Sequence, residues 1–254
     1  DLVQQCTWMF ISQRIHGLAG DDDWFPRGME PGHGKSTSDR RAASGDPMSG
    51  IYLHWGCRVD CRDTRDPVAL AEAQREGLDQ MKPKLDELRD RGWAIHLAPK
   101  IGVRETRRIV GEHVVTADDL VEGRVPDDSV LCTQRGFDLW RKGKHQMAGY
   151  PEVKPYGIPY RALVPRDVDG LYVVGKCMSG THLALSAYRV QALLGQVGQA
   201  AGVAAALCTR GDAQPREVDF ADLKPELFRP PQNLIVRSDP EWVDHTRVFK
   251  PRDY

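Results

Sequence analysis

The residues best placed to do chemistry fall in one stretch: LYVVG at 171–175, then KCMSGTHLALSA, then YRVQALLGQVGQAAGVAAALC. The spacing predicts a short buried strand at 171–174 ending at Gly175, which delivers the chain to the carboxyl edge of a sheet. Open α/β sheets bind cofactors at such an edge. A long helix follows from about Tyr188 to Thr209. Its N-terminus turns back toward the edge and offers backbone N–H groups and a positive dipole to anionic or carbonyl oxygens. Gly195, Gly198 and Gly202, with Ala201 and Ala205, strip one face of bulk, so a backbone or cofactor can approach closely. The same pattern also describes a plain core helix against a sheet. Ser179 and Thr181 are placed either to hydrogen-bond a ligand or to cap a turn.

Other candidates carry chemistry with a bland alternative beside each. Arg104 and Arg107, flanking Glu105, suit bidentate binding of an anion, or a buried ion-pair network. Tyr160 and Arg161 suit a site, or strand packing and a surface charge. His54, Cys57 and Cys61 are metal-ligand types, but residues 54 and 57 of an extended strand face opposite ways, and no fourth ligand is evident. Gly32-His33-Gly34-Lys35-Ser36-Thr37 imitates a phosphate loop. A Walker A loop places its first glycine at 29, which is Met29, and no strand-to-helix setting surrounds the stretch. Asp21-Asp22-Asp23 is a solvated loop.

The elements that must position these residues mix strands and helices, so the fold class is α/β with α+β character. Residues 2–15 and 51–59 are rich in β-formers and read as strands. Residues 20–50 form a long surface loop of the kind that serves as a lid or interface. Asp66 caps a helix with Pro67 in its first turn, running to about Arg91. Leu70, Leu78, Met81, Leu85 and Leu88 give it an apolar face, and Pro83 is expected to kink or split it. Thr116 and Asp119 form a capping box. Residues 123–156 are loop-rich, and 158–165 are extended around Pro159 and Pro165. A short helix closes the pattern near 220–228.

The composition narrows the classes. The 254 residues carry 35 basic and 36 acidic side chains, a net charge of −1. That balance argues against a dedicated nucleic-acid binder. With 41% hydrophobic residues the chain has ample material for a core. Cysteines at 6, 57, 61, 132, 177 and 208 show neither a disulfide framework nor a zinc pattern, and the expectation is reduced thiols in the cytoplasm. The opening Asp1-Leu2-Val3-Gln4 has no Met, no basic n-region and no apolar run of the signal-peptide kind, and the expectation is a piece cut from a longer protein or one chain of a split one. Residues 190–208 are apolar but carry Gln191, Gln196, Gln199 and three glycines, so a buried helix is expected there and no membrane partner.

Three blocks, in order, resemble the FAD-dependent oxidoreductase family related to the flavoproteins of fumarate reductase and succinate dehydrogenase. IGVRETRRIVGEHVVTADDL at 101–120 resembles that family's Arg-Glu-[Ser/Thr]-Arg-Arg block. YGIPYRALVPRDVDGLYVVGK at 156–176 resembles its approach to the last sheet strand. LYVVGKCMSGTHLALSAYRVQALLGQVGQAAGVAAAL resembles its C-terminal flavin-binding segment. REVDFADLKPELF more distantly resembles its closing segment.

The resemblance implies FAD as cofactor and hydride transfer between a small organic substrate and flavin N5. It places Gly175, Lys176 and Ser179 near the flavin, and Arg189, Val190 and Gln191 near its pyrimidine oxygen. It makes His182 a candidate general acid–base, with Arg104, Arg107 and Tyr160 as further catalytic candidates. Trp55, Asp138, Trp140 and Arg161 are candidate substrate residues. Where relatives carry Asp-x-His, this chain has Asp138-Leu139-Trp140. The family's opening GxGxxG unit is absent from these 254 residues. The expectation is therefore a C-terminal half: a substrate domain at 1–98, half of an FAD domain at 99–254, and an N-terminal FAD-binding chain as partner, either cleaved from the same protein or a separate subunit. The rival readings are a non-catalytic scaffold subunit and a metal-dependent hydrolase.

Overall fold

Cys6, Trp8, Phe10 and Ser12 point one way along the first strand and are buried, while Ile11 and Gln13 on the other face are exposed. This period of two builds β1, Cys6–Arg14. The computed structural model describes residues 4–15, 51–139 and 150–228. They divide into two compact units, the first ending at Thr106 and the second beginning at Arg107. The loop expected at 20–50, its Asp21–Asp23 run and its phosphate-loop imitation lie outside the described residues, as does Trp140. Trp55 lies on β2, but its side chain is outside them too.

In the first unit β1 is the central strand of an antiparallel sheet of order β2-β1-β3, with β2 at Ile51–Val59 and β3 at Trp93–Leu97. The register pairs Trp8 with Cys57 and Phe10 with His54, so three residues of β2 span two of β1. This bulge is carried by Gly56, at φ +58°. The extra residue puts His54 and Cys57 on the same buried face, where uninterrupted alternation predicted opposite faces.

Helix α1, Pro67–Asp90, covers that face. Asp66 caps it by accepting from the Val68 N–H at 2.9 Å, and Pro67 opens the first turn. Its buried stripe is Ala69, Ala73, Gly77, Met81, Leu85 and Leu88, whereas Leu78, expected inside, is 39% exposed. Small residues at i, i+4 and i+8 bring the helix close to the sheet. A Cβ on Gly77 would sit 2.8 Å from the Cys57 sulfur. Pro83 does not break the helix. Pro83 and Asp79, the residue whose helical bond Pro83 cannot make, both lie on the exposed face, where a missing bond costs least.

In the second unit, β4 (Ser129–Thr133) pairs antiparallel with β5 (Tyr156–Pro159). β4 lies within the stretch expected to be loop. Thr116 caps α2 (Ala117–Glu122) in the capping box read from sequence. The long terminal helix is two: α3 (His182–Tyr188) and α4 (Gln191–Gly211), broken at Arg189 and Val190. Helix α5, Phe220–Phe228, closes the unit. The core gathers Phe137, Leu131, Tyr156, Ile158, Leu163, Met178, Leu185 and Tyr188.

Two expectations fail here. Residues 171–174 are extended but not a strand. Among the described residues only the Val173 N–H reaches a neighbouring backbone, Leu163 O at 2.8 Å, and Leu171 and Val174 are 44% and 36% exposed. After Pro159 the chain coils into a 3-10 turn at Tyr160–Ala162, which leaves no ladder to pair with. Helix α4 is not a fully buried helix. Val197, Ala200, Ala201 and Ala204 are inside, while Gly195, Gly202 and Ala205 are exposed. Ala201, read with the stripped face, belongs to the packed one. Among the described residues α4 is the single helix long and apolar enough to cross a membrane.

Candidate flavin site

The candidate site is the turn that leaves the LYVV segment. Gly175 adopts φ +79° and starts a 3-10 turn, Gly175–Cys177. A Cβ on Gly175 would have nothing within 4 Å. Glycine is therefore required by the left-handed backbone rather than by packing, and the space above it is open. Lys176 and Cys177 on this turn are exposed.

The chain then dives inward. Met178, Ser179 and Gly180 are buried, fixed by Ser179 N to Ala162 O at 3.3 Å and Thr181 N to Val115 O at 2.8 Å. The Ser179 hydroxyl is fully buried with no hydrogen-bond partner. A buried hydroxyl without a partner costs about 1–3 kcal/mol, and it is the orphaned polar atom of this turn. Thr181 caps α3 by accepting from Ala184 N at 3.4 Å, which sets half-buried His182 at the first helical position.

Residues 107–111 run alongside the turn. Ile109 N donates to Cys177 O at 2.9 Å, and Arg108 Nε donates to Gly180 O at 2.8 Å. Arg107 is exposed on this segment. Helix α4 packs against the Gly175–Cys177 turn. Its N-cap, Val190, offers no side-chain cap, and Gln191 and Ala192 in the first turn are exposed. The first N–H groups of a helix have no partner within it. Here the residues that carry them, Gln191 and Ala192, are exposed at the positive end of a 21-residue helix.

Arg189, between α3 and α4, donates to Asp138 O at 2.8 Å and pairs with the Asp138 carboxylate at 3.3 Å. Arg135 lies 3.8 Å from the same carboxylate. The structure thus joins Asp138, read as a substrate residue, to Arg189, read as a cofactor residue. Lys176 on the turn, with Arg107 and Arg108 on the segment beside it, supplies cationic side chains of the kind an anionic ligand needs, whereas Arg135 and Arg189 are paired with Asp138.

The remaining candidates are placed elsewhere. Arg104 is buried in the first unit, donating to Gln5 O at 2.5 Å, beside buried Glu105, which accepts from Gln4 Nε2 at 3.3 Å. Tyr160 is 4% exposed. Its hydroxyl hydrogen-bonds with that of Tyr172 and donates to Pro215 O at 2.6 Å, and burial pushes its pKa up to about 12. Arg161 is on the surface, forked onto Asp128 at 2.9 and 3.1 Å. His54 is tied to Ser12 and Cys57 lies under Gly77, and among the described residues no three His, Cys, Asp or Glu side chains group to hold a metal. Sequence reasoning missed Arg108 as a clamp on the turn and Arg135 as a neighbour of Asp138. The RETRR block was the available signal for Arg108. Nothing local in sequence marks Arg135.

The family model for FAD dependent oxidoreductases matches residues 40–227. The chain belongs to that family: it is a flavin oxidoreductase, and FAD is the cofactor the family implies. No curated protein and no solved structure matches it. The residues present fit such a group. An open glycine turn, an uncapped helix start and a cationic rim suit a ligand with phosphates at one end and a carbonyl-bearing ring at the other.

Proposed function

We propose that this chain holds the flavin end of FAD against the Gly175–Cys177 turn and the start of α4, and that the protein transfers a hydride between a small organic substrate and the flavin. The observation that carries the reading is the uncapped start of α4, packed on an open glycine turn. Backbone N–H groups at Gln191 and Ala192 would donate to the pyrimidine carbonyl, where the helix dipole favours the negative charge of the reduced ring. Lys176 adds a cation beside it. Bound FAD supplies hydride acceptance; the protein supplies orientation and electrostatics.

In this reading His182 takes or returns the substrate proton at its imidazole. Arg107 binds an anionic group of the substrate, and Arg108 holds the turn in place through Gly180. Arg189 and Asp138 lock the α3–α4 junction, which aims the helix start. Arg104 acts as a positioning residue in its own unit. A GxGxxG segment, on a partner chain or elsewhere in the same protein, completes the diphosphate site. That proposal rests on the lack of the motif in these 254 residues and on the exposed, unladdered apolar segment at 171–174. The likeness to fumarate reductase and succinate dehydrogenase flavoproteins supports a substrate oxidised at a C–H bond or reduced at the corresponding double bond.

The test is anaerobic mixing of the flavin-loaded protein with a panel of alcohols, amines and carboxylates. Bleaching of the flavin band by one class, lost in His182→Gln with flavin still bound, supports the reading. Bleaching that is unchanged in His182→Gln removes His182 from the proton step. A loaded protein that no class bleaches, and that dithionite reduces normally, supports the scaffold alternative.

A further inference from the structure

The first unit holds a pair of cysteines that the flavin site does not use. Cys6 begins β1 and faces Val59 of β2 in the antiparallel register. Cys61 lies two residues beyond Val59, just past the end of β2, on the chain that leaves the Cys6 pairing. Both belong to one buried cluster, Cys6 at 0% exposed and Cys61 at 9%. Both are free thiols, and Cys61 is close enough to Cys6 to disfavour its thiolate. The neighbouring positions brace the diagonal: Gln5 Nε2 donates to Asp60 Oδ1 at 3.0 Å, and the Gln5 carbonyl accepts from Arg104. Cys57, the third thiol of this unit, lies under Gly77 of α1.

We propose that Cys6 and Cys61 form a reversible disulfide that ties the start of β1 to the connection between β2 and α1. Cys61, the more accessible of the two, reacts first. Its thiolate attacks one sulfur of a small-molecule disulfide such as oxidised glutathione and releases one thiolate. The Cys6 thiolate then attacks the Cys61 sulfur of that mixed disulfide and expels the second. The two protein thiols give up two protons and two electrons, and the small disulfide leaves as two thiols. Burial pushes the Cys6 thiol up to about 11, with Cys61 adding to the rise and Arg104 opposing it, so the second step is slow and the pair is structural rather than catalytic. The bridge closes a ring over residues 6–61, which contains the whole 16–50 segment, and such a ring constrains the unfolded chain strongly.

The experiment equilibrates the full-length protein in glutathione buffers from reducing to oxidising, quenches with acid and alkylates the remaining thiols. Non-reducing peptide mapping then locates any bridge, and thermal unfolding is followed in parallel. The expected result is a linked peptide pair containing Cys6 and Cys61 and a rise in the thermal midpoint of roughly 5–10 °C that reductant reverses. Cys61→Ser abolishes the rise. The mapping of the unaltered protein stands even where a cysteine variant folds poorly. Full alkylation of both thiols at the oxidising end, a glutathione adduct that never resolves, or a bridge to any other cysteine overturns the proposal.

Discussion

The hydroxyl of Tyr188 lies 1.9 Å from the point a Cβ on residue 180 would occupy, so the ring at the end of α3 closes over the turn only because that position is glycine. The same hydroxyl is buried without a hydrogen-bond partner. Gly180→Ala therefore forces the ring or the turn to move, and the expected cost is about 1–3 kcal/mol with flavin binding weakened as well. Tyr188→Phe alone should be close to neutral, since it removes an unsatisfied hydroxyl. Combined with Gly180→Ala it should restore part of the loss, because the ring carbon beyond the hydroxyl is 3.1 Å from the same point. Denaturant midpoints of the three variants measure this. A double variant no better than Gly180→Ala would place the strain elsewhere.

Stability at mildly acid pH should depend on His54. Its ring stacks on Phe10 at 4.4 Å, and its Nε2 shares a 2.7 Å hydrogen bond with Ser12. Burial, with Lys84 adding to it, lowers its pKa from 6.5 to about 4. The unfolded chain then binds more protons between those values, so stability is full above pH 6.5 and is lost as pH falls toward 4. The loss reaches about 3 kcal/mol. Replacing the pair by Ser12→Ala with His54→Phe should flatten this part of the profile. Urea unfolding from pH 7 to 4 gives the slope; equal slopes in both proteins would contradict the account.

Asp119 should stabilise the entrance to α2. Burial works against its charge, but the Thr116 backbone and side chain and Arg124 outweigh it and hold its pKa below the usual carboxylate value. Its contribution is present above pH 3.8 and is lost as pH falls through the lowered value. Thr116→Ala is expected to cost about 1 kcal/mol at neutral pH, and Asp119→Asn should weaken the acid dependence. Thermal unfolding at pH 7 and pH 3 distinguishes them from a neutral surface change.

Lys176 is exposed, so Lys176→Met should leave folding unchanged. It should weaken flavin binding roughly 10-fold and the reduced form more than the oxidised, because a cation beside the ring favours its charge. Fluorescence titration with a reduction-potential measurement tests both. Equal affinity and potential would move the flavin away from this turn.

The parts legible in the sequence were those set by local rules. Richness in β-formers marked the strand at 51–59, Asp66-Pro67 marked the start of α1, and Thr116 with Asp119 marked the capping box. What escaped depends on distant neighbours. Ala69, Ala73 and Gly77 form the buried stripe because the sheet approaches closely, a fact no periodicity count over leucines contains. The bulge at Gly56 turned Cys57 onto the face of His54. LYVV at 171–174 has strand propensity without a partner strand among the described residues, and propensity without pairing does not make a ladder. At the candidate site, the turn at Gly175 and the body of α4 were readable from the glycines and the apolar run, but the break at Arg189 and Val190 that sets the start of α4 was not. The Asp138–Arg189 contact bridges 51 positions and left no local trace.

The central claim is that this chain forms the flavin end of an FAD site completed by a GxGxxG segment. The most direct measurement is the absorbance spectrum of the natively isolated protein, together with intact masses of every chain that purifies with it. The account predicts a flavin band and, on the same protein or a second chain, a polypeptide carrying GxGxxG. A single colourless chain that stays folded and binds no added FAD would contradict it.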